Sequence, residues 1–181
     1  MPMENPWKRL STKDIYENAW IHLVEDEVIN PAGGKGIYGK VHFKNCAIGI
    51  IPVDEELHTW LVGQYRYPLD EYSWEIPMGG SLQGEPYLET AKRELREETG
   101  LTAASWQEIM KIHTSNSVTD EVGYIFLART LQHGEPDFEE TEKLEIRKLP
   151  LKDAVEMASR SEITDSISVA GLLKAGRIFN L

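Results

Sequence analysis

One cysteine, Cys46, stands in the whole chain of 181 residues, so neither an intrachain disulfide nor a cysteine-ligated zinc or iron site can form. That usage fits a reducing cytoplasm, the compartment we expect. An excess of basic residues is also lacking: 19 Lys and Arg face 30 Asp and Glu, for a formal charge of -11. A surface of that sign repels the phosphate backbone on which nucleic-acid affinity mostly rests, so long DNA or RNA is not an expected partner. A small phosphorylated ligand is not excluded, because a bound divalent cation would be the largest local charge and can reverse the sign within one pocket. The longest apolar runs, such as residues 47–53, cannot span a bilayer, and the opening Met1-Pro2-Met3-Glu4-Asn5-Pro6 lacks a basic-then-apolar leader, so no membrane is expected. Internal repeats, low-complexity tracts and flexible linkers are absent as well. The five histidines, His22, His42, His58, His113 and His133, lack the spacing of a paired metal site, and none is assigned to catalysis.

What remains is the composition of a globular protein, 41% hydrophobic and 27% charged, long enough for one domain with an appendage. Residues 14–44 carry aromatic and β-branched residues on both sides of the turn Asn30-Pro31-Ala32-Gly33-Gly34, which predicts two strands around a loop. The apolar run 46–53 and the stretch 59–66 predict a buried hairpin. Residues 73–77 predict a short strand, followed by the glycine-punctuated loop Met78-Gly79-Gly80-Ser81-Leu82-Gln83-Gly84 and by Pro86 at the first position of a helix that runs to Gly100. Further strands are expected at 108–114, 123–130 and 144–149, and helices at 151–159 and 165–175. Strands and helices mix without regular alternation, which predicts an α/β (α+β) fold with a mixed sheet between helices.

The helix ending at Gly100 breaks local rules. Glu94, Glu97 and Glu98 stand at i, i+3 and i+4, so their carboxylates share one face. A charged run of this kind is usually a solvated helix face. Here, however, Glu94 and Glu98 border the apolar stripe of Leu88, Ala91 and Leu95, and all three glutamates crowd the end of the helix where the macrodipole favours cations. A hard divalent cation with oxygen ligands would compensate all of these violations together.

The pattern Gly79, five residues, Glu85, seven residues, Arg93-Glu94-Leu95, one residue, Glu97-Glu98, one residue, Gly100-Leu101 resembles the Nudix box without a mismatch. In a chain of this composition such a match arises by chance on the order of once in a million, which sets the solvated-face reading aside. Beyond the box, Gln64-Tyr65-Arg66-Tyr67-Pro68, Glu75-Ile76-Pro77-Met78-Gly79 and the N-terminal strands resemble the ADP-ribose pyrophosphatase branch of that family. The resemblance implies a Nudix α/β/α sandwich with a mixed sheet over residues 45–181. It also implies an N-terminal β extension over residues 1–44 that helps form a homodimer.

The same resemblance implies Mg²⁺, with Mn²⁺ as an alternative, held by Glu94, Glu97, Glu98 and the carbonyl of Met78. Glu85 and Arg93 would support those ligands, and Arg93 is counted with Glu97 in the catalytic set. A carboxylate paired with an arginine can hold the ligand helix against the glycine loop, and Gly79 and Gly80 let the backbone approach metal and phosphates closely. Glu140 and Glu142, on an acidic stretch before the strand at 144–149, are the candidates for the general base. Arg66 is a candidate diphosphate clamp because its planar fork can bind two oxygens. Trp20 is a candidate for stacking the base, and Glu121 resembles a substrate-side glutamate. Asn116 stands where the ADP-ribose enzymes carry a proline, so the resemblance is not tied to ADP-ribose alone.

The activity so implied is hydrolysis of the diphosphate bond of a nucleoside diphosphate sugar, such as ADP-ribose or GDP-mannose, to a nucleoside monophosphate and a sugar phosphate. Two other readings stay open: a Nudix hydrolase of a dinucleotide, coenzyme A derivative or RNA cap, and a regulator that binds nucleotide sugars without hydrolysing them.

Overall fold

The computed structural model describes residues 4–137 and 144–181. Its described residues fall into two compact units, one drawn from Met1–Asn45 with His113–Glu121, the other from Cys46–Ile112 with Val122–Leu181.

The first unit is an antiparallel sheet of β1 (Lys8–Glu17), β2 (Ile21–Ile29) and β3 (Lys35–Phe43), in that spatial order. β2 and β3 are the two strands expected around the turn at 30–34. The Asn30 carboxamide closes that turn by accepting the N–H groups of Ala32 and Gly34, each at 3.0 Å, while Gly33 takes φ 87°. β1 is a third strand of which only the end fell inside the expected segment. All ten of its residues are exposed, so no apolar alternation marks it in the sequence. Within the sheet, Asp26 is buried and answered by Lys40 at 2.6 Å and the Thr12 hydroxyl at 2.7 Å. Residues His113–Glu121 join this unit through a Val41–Thr119 bridge and through Asp120, whose carboxylate meets His42 at 2.6 Å and accepts the Phe43 N–H at 3.0 Å.

The second unit runs β4 (Ala47–Pro52), β5 (His58–Arg66), β6 (Glu71–Glu75), β7 (Met78–Gly80), α1 (Tyr87–Thr99), β8 (Leu101–His113), β9 (Val122–His133), β10 (Glu145–Pro150), α2 (Leu151–Ser159) and α3 (Ser166–Phe179). Its strands form two sheets, β7-β4-β9-β8 and β10-β5-β6. The first is mixed, since β4 pairs parallel with β9 and antiparallel with β7. The hairpin expected from residues 46–66 does not form. β4 is flanked by β7 and β9, and β5 by β6 and β10, so the two strands enter different sheets. An apolar run announces a strand but not its partner. β8 begins at Leu101, earlier than expected, because Thr102-Ala103-Ala104-Ser105 carries little strand propensity. α3 continues past Ala175 to Phe179, where Asn180 turns left-handed at φ 57°.

The uninterrupted apolar run of β4 follows from burial on both faces. Ile48 and Ile50 pack with Ala91 and Leu95 of α1. Ile51 faces the other way, into a core with Leu151 and Ala154 of α2 and Ile167 and Leu172 of α3. The result is the expected helix–sheet–helix sandwich. Among the described residues, no helix is long and apolar enough to cross a membrane.

Gly49 lies between two of these layers. A Cβ built there would stand 2.9 Å from both Ile167 Cγ2 and Ile76 Cδ1, with branched side chains on either side and little room to yield. Gly49→Ala is expected to lower stability by about 1–3 kcal/mol through overpacking. Chemical denaturation will show the loss as an earlier midpoint at unchanged slope, and an unchanged midpoint would contradict the packing described.

Candidate active site

α1 presents a buried face of Thr90, Ala91, Leu95, Glu98 and Thr99. Gly100 then ends the helix left-handed at φ 71° and returns its N–H to the Arg96 carbonyl at 2.8 Å. Glu98, at 2% exposure, is among the buried residues, and its carboxylate accepts the Met78 N–H at 2.9 Å. A buried carboxylate needs such donors to offset its lost hydration. This contact ties the helix to β7, the first strand of the glycine loop.

Arg93 organises the helix surface. Its Nη1 donates to Glu94 at 2.6 Å and to Glu97 at 3.0 Å, while Nε and Nη2 reach Glu85 at 3.3 and 3.2 Å. Nη2 also donates to the Gly80 carbonyl at 3.2 Å. Glu85 accepts in addition from the Leu82 N–H at 3.1 Å and the Thr90 hydroxyl at 2.9 Å. The Arg93 guanidinium, helped by those two donors against burial, pulls the Glu85 carboxyl down from 4.5 to about 2. Burial disfavours the charge on Arg93, but Glu85 and Glu94 outweigh it and raise its pKa. On the glycine loop, a side chain at Gly79 would overlap the Glu94 carboxylate, so only glycine lets β7 lie against the helix there.

Arg66, at the end of β5, donates Nε to Glu75 at 2.9 Å and one Nη to the second carboxylate oxygen. Glu75 on β6 is almost fully buried, and its hydrogen bonds raise the pKa of Arg66, with Asp165 and Glu98 adding to the field. Part of the expected clamp is therefore committed to Glu75. Met78 is half-buried and pairs with Gly49 across β7 and β4.

A NUDIX domain matches residues 44–167. The chain belongs to the Nudix family. A second match, to a nucleoside diphosphate sugar hydrolase N-terminal domain, covers residues 7–41. Among curated relatives, the ADP-ribose pyrophosphatase of Mycobacterium tuberculosis is 33% identical over 94% of this chain and 83% of its own length. The ADP-ribose pyrophosphatase of Bacillus subtilis is 32% identical over 88% of this chain and 86% of its own. A solved structure described as an ADP compounds hydrolase superposes with a TM-score of 0.87, covering 99% of this chain and 97% of the other at 19% identity, which shows a shared fold. The Nudix chain is thus a pyrophosphohydrolase.

Nudix hydrolases work with divalent metal, and the donor set of the Nudix helix suits one. Glu94, Glu97 and Glu98 offer hard oxygens from adjacent turns, and Gly79 leaves β7 open against Glu94. A different cluster, Asp54, Glu56 and His58 around the turn before β5, is the one that brings a ligand atom from each residue within 4.8 Å of the others among the described residues. There the Asp54 carboxylate is already engaged by the N–H groups of Glu56 and His58 and by Lys148 at 2.8 Å. These contacts hold its pKa low despite burial. We read that cluster as a closed turn rather than the Nudix metal site.

Of the other sequence-derived candidates, Trp20 and Glu121 lie in the N-terminal unit. Trp20 is 69% exposed, and Glu121 accepts from the Thr114 hydroxyl. Glu140 and Glu142 lie outside the described residues. Sequence reasoning missed Glu75 and Thr90. The signal for Glu75 was an acidic residue within the otherwise apolar Trp74-Glu75-Ile76, and for Thr90 a hydroxyl one turn before Arg93 on the core side of the helix.

The depressed pKa of Glu85 has a sign that can be tested. Its pairing with Arg93 stabilises the fold fully above the ordinary carboxyl value of 4.5, and that contribution is lost as pH falls toward about 2. Glu85→Gln should lower stability at neutral pH and shallow the decline between those two values. Denaturation curves taken across that range that match the unmodified protein would refute the pairing.

Proposed function

We propose that this Nudix hydrolase splits the diphosphate bond of nucleoside diphosphate sugars, ADP-ribose and GDP-mannose among them, releasing a nucleoside monophosphate and a sugar phosphate. The observation that carries the reading is the gathering of Glu94, Glu97 and Glu98 around Arg93 and the Met78–Gly79 backbone. The relatives named for ADP-ribose and the N-terminal match named for nucleoside diphosphate sugars support the substrate class.

In this reading Glu94, Glu97, Glu98 and the Met78 carbonyl hold Mg²⁺, which Mn²⁺ can replace. The cation, when bound, supplies a Lewis acid for the phosphate oxygens and acidifies the attacking water. Arg93 and Glu85 keep the carboxylates in place, a supporting role of the kind that tunes metal sites. Gly79 and Gly80 give the diphosphate close access to the backbone. Arg66, its fork oriented by Glu75, offers its remaining donors to a phosphate oxygen. Glu140 or Glu142 accepts the proton of the water. Trp20 stacks the base, and Glu121 bonds the sugar side. The N-terminal unit serves a homodimer, and the enzyme works in the cytoplasm.

Glu98→Gln and Glu97→Gln should each lower turnover of ADP-ribose in Mg²⁺ on the order of 100-fold or more, the scale on which loss of one transition-state partner is felt, with circular dichroism unchanged. Chromatography of the products checks both rate and cleavage position. Full turnover by Glu98→Gln in a folded protein would sink the ligand assignment. Failure of the unmodified protein on both ADP-ribose and GDP-mannose would move the substrate class to dinucleotides, coenzyme A derivatives or RNA caps, and sedimentation as a monomer would remove the dimer.

A further inference from the structure

The stretch that leads from β6 into β7, Ile76, Pro77 and Met78, the first residue of β7, has two backbone N–H groups, because Pro77 has none. Neither donates to a strand. The Met78 N–H goes to Glu98 at 2.9 Å, and the Ile76 N–H goes to the hydroxyl of Ser168 at 3.0 Å. Ser168 and Ile76 are both fully buried, so no water can replace that acceptor, and an unmatched buried donor is costly. Ser168 is itself fixed. It lies in the first turn of α3, where its N–H is accepted by the N-cap Asp165 at 2.7 Å. The Pro77 carbonyl between the two donors accepts from the Ile50 N–H of β4 at 2.8 Å.

We infer that Ser168 is a positioning residue for the hydrolytic site. It touches no substrate. By holding the Ile76 amide it sets the next peptide units, and so the Met78 N–H that orients Glu98 and the Met78 carbonyl beside it. Helix α3, more than 60 positions further along the chain, thereby decides where a carboxylate of α1 points. Asp165 serves the same end twice, as the cap that places Ser168 and as one of the carboxylates acting on Arg66. The inference rests on the reading of Glu98 as a working carboxylate given above.

The test compares Ser168→Ala, Ser168→Thr and, as a stability control, Ala175→Gly. Ala175 is buried two turns along the same helix, where glycine weakens the helix without touching residues 76–78. Amide exchange at Ile76 and Met78 is followed by NMR, and kcat and KM for ADP-ribose are measured in saturating Mg²⁺. Ser168→Ala should speed exchange at both amides by about tenfold, as loss of one hydrogen bond implies. It should also lower kcat by about tenfold with KM within about twofold, the size of effect seen when a supporting contact is removed. Ser168→Thr should restore both, and Ala175→Gly should lower Tm while changing neither. Unchanged exchange at Met78, wild-type kcat in Ser168→Ala, or an equal kcat loss in Ala175→Gly would each overturn the inference. Should Ser168→Ala fail to fold, Ser168→Cys, similar in shape but a poor acceptor, carries the same readouts. If the unmodified protein cleaves no nucleoside diphosphate sugar, the functional reading falls instead, and exchange at Met78 alone decides whether Ser168 holds this segment.

Discussion

One guanidinium, that of Arg93, holds three carboxylates by hydrogen bonds, Glu94 and Glu97 on Nη1 and Glu85 on Nε and Nη2. Without it, Glu94 and Glu97 would stand as uncompensated like charges toward the C-terminal end of α1, where the helix dipole is already negative. The helix can gather anions because the cation sits among them. The same side chain donates to the Gly80 carbonyl, so neutralisation and docking of the glycine loop are one event. A divalent cation held by these oxygens would extend an arrangement that the protein has already built in its own residues.

The fold keeps that arrangement in register through backbone that tolerates no side chains. Gly79 lies where a Cβ would enter the Glu94 carboxylate, and Gly100 combines a left-handed turn with a position where a Cβ would strike the backbone at Gly134 and Glu135. These contacts press α1 against both the strand before it and the segment after β9. The sandwich supplies the stiffness: β4 buries both faces, one against α1 and the other against α2 and α3. Displacement of either helix layer is therefore felt at β7, the strand that carries Met78 and the glycines.

Charge is distributed with similar economy. An overall charge of -11 disfavours polyanions, yet the site is not simply acidic. Arg93 stands among the glutamates of the Nudix helix and Arg66 in the field of Glu98, each fixed by a carboxylate that is itself held, Glu75 by burial and Glu85 by the Leu82 N–H and the Thr90 hydroxyl. Oriented cations of this kind can meet a diphosphate without the flexibility of surface lysines. The N-terminal unit follows the same habit, pairing buried Asp26 with Lys40 and Asp120 with His42.

The sequence alone carried whatever depends on spacing along one element. Three glutamates at helical intervals, the glycines around them and the Glu85–Arg93 pair could be read because a helix and its adjacent loop convert sequence distance directly into spatial distance. The run at residues 47–53 announced a buried strand for the same reason. What lay beyond reach was set by partners that spacing does not name: β4 against β9 rather than β5 and Ser168 under Ile76, both distant in the chain, and nearer at hand the exposed β1 with no alternation to betray it and Glu75 on Arg66 across the β5–β6 pair. Hydrogen bonds and strand pairings across 76 and 92 positions, as for β4 with β9 and Ile76 with Ser168, leave no local trace. They come into being only when the layers close, because it is burial that makes each unmatched donor or charge find the one group able to answer it.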